Sequence, residues 1–262
     1  MKNKILVGIL TGLLLLCMGG VAQAALVYDA NVHPNVIMGT GIGNGSWTVD
    51  LASGVQIGLR GKTRHNGSGV PDGTYNSNGD GTYSFAAGVA PTQSFPTAVW
   101  SFEWSINTTV PFLGPSNLAG LTYKLGLDID PGFGTNFIEF DPINGINPKY
   151  GTVSWDHSIG NNFTPQSGGV EVNTNDPSAY ALLVNGNNVA QNSWKPHWFN
   201  SGFDPTVDGT YDIYLGAFNG TNQIALSEIQ IIVGNPVPLP AAVWLLGSGL
   251  LGLAGYRRKQ NR

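Results

Sequence analysis

The chain of 262 residues contains a single cysteine, Cys17, and few charged residues. Cys17 lies in a leader that we expect to be removed, so a disulfide, a thiol nucleophile and a cysteine-ligated metal are excluded from the mature chain. Charged residues make up 11% of the chain and only four are glutamate, which leaves few strong helix formers. With 37 glycines, this composition predicts a β-rich protein with many turns.

Positive charge is scarce between the two ends of the chain. Lys2 and Lys4 lie in the leader, and four more cations lie within residues 257–262. The body between the ends keeps six cations against all 16 acids, a balance of −10. Because this charge repels a phosphate backbone, we exclude nucleic acid as a partner.

Residues 1–24 have the organisation of a secretory signal peptide. A basic start precedes an uncharged, largely apolar run over residues 5–18, and Ala22 and Ala24 supply the small side chains that signal peptidase accepts. We expect signal peptidase to cleave after Ala24 and the body to be exported.

Residues 239–256 contain no charge and are just long enough to span a bilayer as a helix. Basic residues follow at 257–259 and favour the cytoplasmic side of the membrane. Ahead of the helix, residues 235–240 include three prolines, which fix an extended backbone that a protease can hold. The sequence therefore predicts a C-terminal transmembrane helix behind an accessible strip.

This order of proline motif, apolar helix and basic cluster resembles the PEP-CTERM sorting signal in its VPLPA variant, here over residues 235–262. The resemblance implies processing by exosortase, a membrane protease of Gram-negative bacteria with extracellular polysaccharide systems, and delivery to the cell surface or matrix. Leu239 stands where the motif of the family name has glutamate. The residues implied in recognition are Val237, Pro238, Leu239, Pro240 and Ala241, and those implied in stopping transfer are Arg257, Arg258 and Lys259.

Between residues 25 and 234 the apolar pattern has a period of two. Apolar and polar residues alternate over 100–106 and 123–129, as in strands with one buried face. Asn-Gly and Asp-Gly steps separate such segments, and Asp-Gly-Thr-Tyr occurs at Asp72, Asp80 and Asp208, where we expect a turn followed by a strand. We predict one domain, an all-β antiparallel sandwich of jelly-roll or immunoglobulin-like type, without an amphipathic helix of three turns.

Four carboxylates lie close together in the sequence, and extracellular calcium sites use such oxygen ligands. The spacing does not follow an EF-hand loop, and the alternative is a solvated strand end. The residues are Asp128, Asp130, Glu139 and Asp141.

One segment combines flat rings with polar groups, as do sites that hold sugar rings. The alternative is that its rings fill the end of the sandwich, where aromatic side chains bury a large area. The candidate residues for carbohydrate binding are Trp194, His197, Trp198 and Phe199.

The sequence has no serine-hydrolase elbow, no paired-histidine zinc spacing and no complete phosphate loop. We therefore expect no enzymatic activity and no cofactor, with calcium as the candidate metal. The first hypothesis is an exported protein of the cell surface or of a biofilm or exopolysaccharide matrix. The second is a carbohydrate-binding, lectin-like module of the same matrix.

Overall fold

The computed structural model describes residues 25–70, 72–132, 134–146, 157–172 and 176–235. Within these residues the chain forms twelve strands and one α-helix, α1 (Pro177–Gly186). The strands are β1 (Val27–Ala30), β2 (Trp47–Ala52), β3 (Val55–Thr63), β4 (Thr82–Phe85), β5 (Trp100–Asn107), β6 (Thr122–Asp128), β7 (Phe137–Phe140), β8 (His157–Gly160), β9 (Val170–Val172), β10 (Val189–Trp194), β11 (Gly209–Asn219) and β12 (Asn222–Val233).

The strands form two sheets. The larger sheet has seven strands in the order β1-β2-β3-β5-β10-β8-β9, and the smaller has five in the order β4-β12-β11-β6-β7. Neighbouring strands are antiparallel except β4 and β12, which run parallel. The predicted all-β class is confirmed, but the parallel pair departs from the predicted antiparallel arrangement. A hairpin would force antiparallel pairing, but β4 and β12 are far apart in sequence and carry no such constraint.

The two sheets share one hydrophobic core. Alternate residues of β5, such as Trp104, and of β11, such as Ile213, point into it and are fully buried. Tyr83 of β4 and Ile231 of β12 belong to the same cluster. The sheets therefore pack face to face, which is consistent with a sandwich.

A segment of the chain before β2, residues 31–46, crosses the outer face of the larger sheet, and we call it the strap. The backbone N–H of Ile37 donates to Oε1 of Gln191 at 2.7 Å, and that of His33 donates to Oε1 of Gln56 at 2.7 Å. The strap builds a second, smaller core with the start of β2, composed of Val32, Val36, Met38, Trp47 and Val49. Because the strap covers this face, every residue of β5 is buried, polar ones included.

The helix α1 begins after Asp176, whose carboxylate accepts from the backbone N–H groups of Ser178 and Ala179 at 2.9 and 3.2 Å. Tyr180 and Val184, one turn apart, are its buried residues. Its ten residues make just under three turns, since a turn takes about 3.6 residues. With only two buried positions, its apolar periodicity is too weak to have been predicted.

The repeated Asp-Gly-Thr-Tyr tetrapeptide forms two kinds of turn. The Asp72 and Asp80 carboxylates accept from both the backbone N–H and the hydroxyl of the threonine two residues on, bonds that lower the pKa of each carboxyl. Asp208 instead accepts from the backbone N–H of Asn235 at 3.2 Å. Strand β4 begins two residues after Asp80 and β11 directly after Asp208, as predicted, whereas no strand begins within two residues of Asp72 in the described part of the chain.

Candidate functional site

The predicted signal peptide, residues 1–24, and the predicted sorting residues, 237–241 and 257–259, lie outside the described residues, as does the predicted helix at 239–256. The described part of the chain contains no helix with the length and apolar character needed to span a membrane. What the structure does show is the point where the sorting segment leaves the body.

That point is fixed by two hydrogen bonds, each donated by a backbone N–H. Gly234 adopts a φ of +65° just past the end of β12, and its N–H donates to the carbonyl of Phe85 at 2.8 Å. The next N–H, of Asn235, donates to Oδ2 of Asp208. Since β12 itself is paired on both sides, by β4 and β11, the chain is held to the body up to residue 235.

Two of the four predicted calcium ligands, Asp128 and Asp130, serve local backbone structure. Oδ1 of Asp128, a buried carboxylate at the end of β6, accepts from the N–H groups of Asp130 and Asn136 at 3.0 and 2.8 Å. Oδ1 of Asp130 accepts from the N–H of Gly132 at 2.8 Å. These carboxylates organise the turn between β6 and β7.

The other two, Glu139 and Asp141, are also engaged by protein groups. Glu139 accepts a short hydrogen bond from the Tyr214 hydroxyl and lies 3.3 Å from Nζ of Lys124, and these partners lower its pKa, the tyrosine most. Asp141 accepts from the backbone N–H groups of Tyr123, Ile143 and Asn144. In the described residues no three His, Cys, Asp or Glu side chains are grouped to hold a metal ion.

The predicted aromatic segment is divided between core and surface. Trp194 is 2% exposed, and its ring centroid lies 5.1 Å from those of Trp104 and Phe199. It therefore packs in the core and presents no face for a sugar. His197, Trp198 and Phe199, in and after a short 3-10 helix, are half-buried, and Nζ of Lys195 lies 5.7 Å from the Trp198 ring centroid.

A buried ion cluster joins the strap to the larger sheet. Nη2 of Arg60 lies 2.6 Å from Oε2 of Glu103, and Nζ of Lys62 lies 3.2 Å from Oε1 of the same carboxylate. The Arg60 guanidinium lies between the rings of Trp47 and Tyr75, at 4.1 and 3.8 Å from their centroids. Arg60 also donates to the strap carbonyls of Gly43 and Gly45. This cluster was not predicted, because alternation over 100–106 placed Glu103 on an exposed face.

A second buried polar contact attaches α1 to β8. Nε2 of His157 lies 3.0 Å from the Tyr180 hydroxyl, which donates to the carbonyl of Ile143 at 2.8 Å. Nδ1 of His157 has no hydrogen-bond partner among the described residues. Complete burial lowers the pKa of His157 to about 3, because an imidazolium here would lose its hydration.

A groove of about 440 Å³ lies on the outer face of the smaller sheet. Its floor consists of two cross-strand pairs of β11 and β12, Tyr214 with Glu228 and Asp212 with Gln230. Its walls include Tyr28, Gly81, Thr82, Thr135 and Phe137. This site could not be identified from the sequence pattern, although residues two apart on a strand point the same way, so Asp212 and Tyr214 share the outward face.

Tyr214 is held in place in this groove by its neighbours. Its ring lies across Gly126 of β6, where a Cβ atom would overlap the ring, and its hydroxyl reaches Glu139. The Phe137 ring packs against it at 5.1 Å between centroids. Burial, with the Glu139 carboxylate as second cause, raises the pKa of Tyr214.

Comparison with family models matches residues 236–259 to the PEP-CTERM protein-sorting motif. No curated protein matches the chain, and no solved structure does. The motif implies export, C-terminal anchoring in the membrane before processing, and processing by exosortase. The match begins at the residue after Asn235, where the body ends. The chain therefore carries a PEP-CTERM protein-sorting motif, as its prolines, apolar run and basic cluster predict.

Proposed function

We propose that the protein is a non-enzymatic component of the outer cell surface or extracellular matrix, such as a biofilm or exopolysaccharide layer, and that exosortase removes its tail. The observation that carries this proposal is the sorting motif at residues 236–259. In this proposal the signal peptide starts export, the helix at 239–256 anchors the chain, and the residues 237–241 are recognised.

The described geometry supports clean removal of the tail. The motif starts directly after two hydrogen-bonded residues, Gly234 and Asn235, so no sheet residue lies within it. Because β12 ends at Val233, processing beyond residue 235 takes no strand from either sheet. The body is thus built to keep its fold when the tail leaves.

The positions of the buried titratable groups support a non-enzymatic role. Glu103 forms ion pairs with Arg60 and Lys62 in the interior, and His157 bonds Tyr180 in the core. Catalytic acids and bases need a path to substrate, whereas the side chains of Glu103, Arg60, Lys62 and His157 are at most 1% exposed.

The test is the intact mass of the protein recovered from outside its host cells. We expect a chain that begins at Ala25 and lacks the helix and basic tail, and we expect the tail to be retained in cells without exosortase activity. Replacing Pro238 and Pro240 with alanine should also block tail removal, whereas Pro91→Ala, on the body, should not. Full-length protein in the cytosol, uncut at both ends, would contradict the proposal.

A second candidate function is carbohydrate binding by the exposed part of the aromatic segment. Trp198 and Phe199 remain half-buried rather than fully enclosed, and Lys195 lies near the Trp198 ring. Retention on immobilised matrix polysaccharide should fall in Trp198→Ala and persist in Phe163→Ala, which removes an aromatic ring that is 82% exposed. Equal retention of both variants would remove this segment as the binding site.

A further inference from the structure

We propose that the groove on the smaller sheet binds a saccharide that is uncharged or carries amino groups. This inference rests on the carbohydrate-binding function proposed above, but it assigns that function to a different site. At about 440 Å³ the groove falls within the range of small-molecule sites, roughly 300–1,000 Å³.

The aromatic rings of the groove are set in position before any ligand arrives. Gly126 lacks the Cβ that would displace the Tyr214 ring, and Glu139 and Phe137 fix that ring from the side. On the other wall Tyr28 packs over Gly81, where a Cβ would come within 2.9 Å of the Tyr28 ring. Rings fixed in this way lose little conformational entropy when a sugar ring stacks on them.

Three of the polar side chains that line the groove are carboxylates, which only accept hydrogen bonds when ionised. Asp80, Asp212 and Glu228 line it, together with Gln230, whose amide donates to Oδ1 of Asp212 at 2.8 Å. That bond leaves Oδ2 of Asp212 and the exposed carboxylate of Glu228 to accept from a ligand. Sugar hydroxyls are donors, and hydrogen bonds to ionised carboxylates are the stronger kind.

The charge of the lining selects among saccharides. Among the described residues it includes three carboxylates and no Lys, Arg or His, so a uronate, sulfated or phosphorylated glycan meets repulsion from the same groups that bind a hydroxyl. A charged amino group on a sugar is instead attracted, both by the carboxylates and by the ring faces of Tyr28 and Tyr214. The chemistry therefore favours neutral and amino-bearing glycans over anionic ones.

The test uses the processed protein recovered from its host and three immobilised polysaccharides: a neutral glucan, partly deacetylated chitin and alginate. We expect retention on at least one of the first two and none on alginate, which is a polyuronate. Tyr214→Ala and Glu228→Ala should each lower the affinity at least tenfold, while Phe163→Ala leaves it unchanged. If Tyr214→Ala folds poorly, Glu228→Ala still tests the proposal, because Glu228 is exposed and its replacement leaves the core intact.

The outcomes separate this inference from the function on which it rests. If Trp198→Ala abolishes retention and the groove variants do not, carbohydrate binding stands and the groove is not its site. Preferred binding to alginate would overturn the charge argument. If no polysaccharide is retained, the carbohydrate-binding function fails together with the groove.

Discussion

Glu103 lies directly opposite Arg60 in the register of β5 and β3, and the two side chains form an ion pair with no solvent exposure. Lys62, two residues along β3, shares the same carboxylate, so a single anion is the ion-pair partner of two buried cations. The cluster thus depends on Glu103 more than on either cation.

Glu103→Gln removes this anion while keeping the size and shape of the side chain. Two buried cations would remain unpaired, and we expect a loss of about 3–5 kcal/mol in the free energy of unfolding. Urea denaturation measures this loss. The matched control is Glu228→Gln at an exposed position, expected to change stability by less than about 0.5 kcal/mol. Similar losses in both variants would show that the buried pair is not important for stability.

His157 should make the protein sensitive to acid. Its pKa is about 3 in the folded state, lowered by burial, against about 6.5 in an unfolded chain. Between these values the unfolded state binds a proton that the folded state does not, so stability falls as the pH drops from about 6.5 towards 3, by up to about 1.4 kcal/mol per pH unit.

The measurement is the slope of unfolding free energy against pH for wild type and His157→Gln. We expect a flatter slope in His157→Gln, whatever its absolute stability. His33→Gln, which removes an exposed imidazole, should keep the wild-type slope. A wild-type slope in His157→Gln would show that another group dominates the acid sensitivity.

Gly126→Ala should displace the Tyr214 ring, because the added methyl group would occupy the same space. We expect a loss of about 1–3 kcal/mol, as in other overpacked sites. The same substitution in a Tyr214→Ala background should cost much less, and this double-mutant cycle isolates the contact. Gly67→Ala, with open space around the added atom, is the control. Additive effects at 126 and 214 would argue against the overlap.

Millimolar calcium should leave the melting temperature unchanged. Asp128 and Asp141 already accept two or more backbone hydrogen bonds each, and Glu139 is engaged by Lys124 and Tyr214. A ligand at free concentration L that binds only the folded state adds RT ln(1 + L/Kd) to the free energy of unfolding and so raises the melting temperature. A rise that disappears in Asp128→Asn would establish the calcium site that the sequence predicts.

Period-two alternation located the central strands well. The segments 100–106 and 123–129 correspond to β5 (Trp100–Asn107) and β6 (Thr122–Asp128). Alternation reports only local geometry, however, so it predicted one exposed face for β5. The strap covers that face from far away in the sequence, and this is why the burial of Glu103 could not be predicted.

The candidate sites were predicted less well than the strands. The sorting motif is contiguous in the sequence and was found from its residues alone, and the family comparison confirms it. The groove brings together β1, β4, β7, β11 and β12 residues, which become neighbours only through sheet order. Closeness in the sequence also grouped Trp194 with Trp198. The position of Trp194 in β10 nevertheless directs its side chain into the core.

The strap also sets an order of events during export. The Ile37 N–H donates to Gln191, which lies 154 residues further along the chain. In β2, the Asp50 carboxylate accepts from the N–H of Leu226, which lies 176 residues after Asp50. A polypeptide that crosses the membrane from its N-terminal end delivers these partners last. Its first segments therefore remain outside the membrane without their native contacts, and Arg60 stays in water until it binds the strap carbonyls of Gly43 and Gly45.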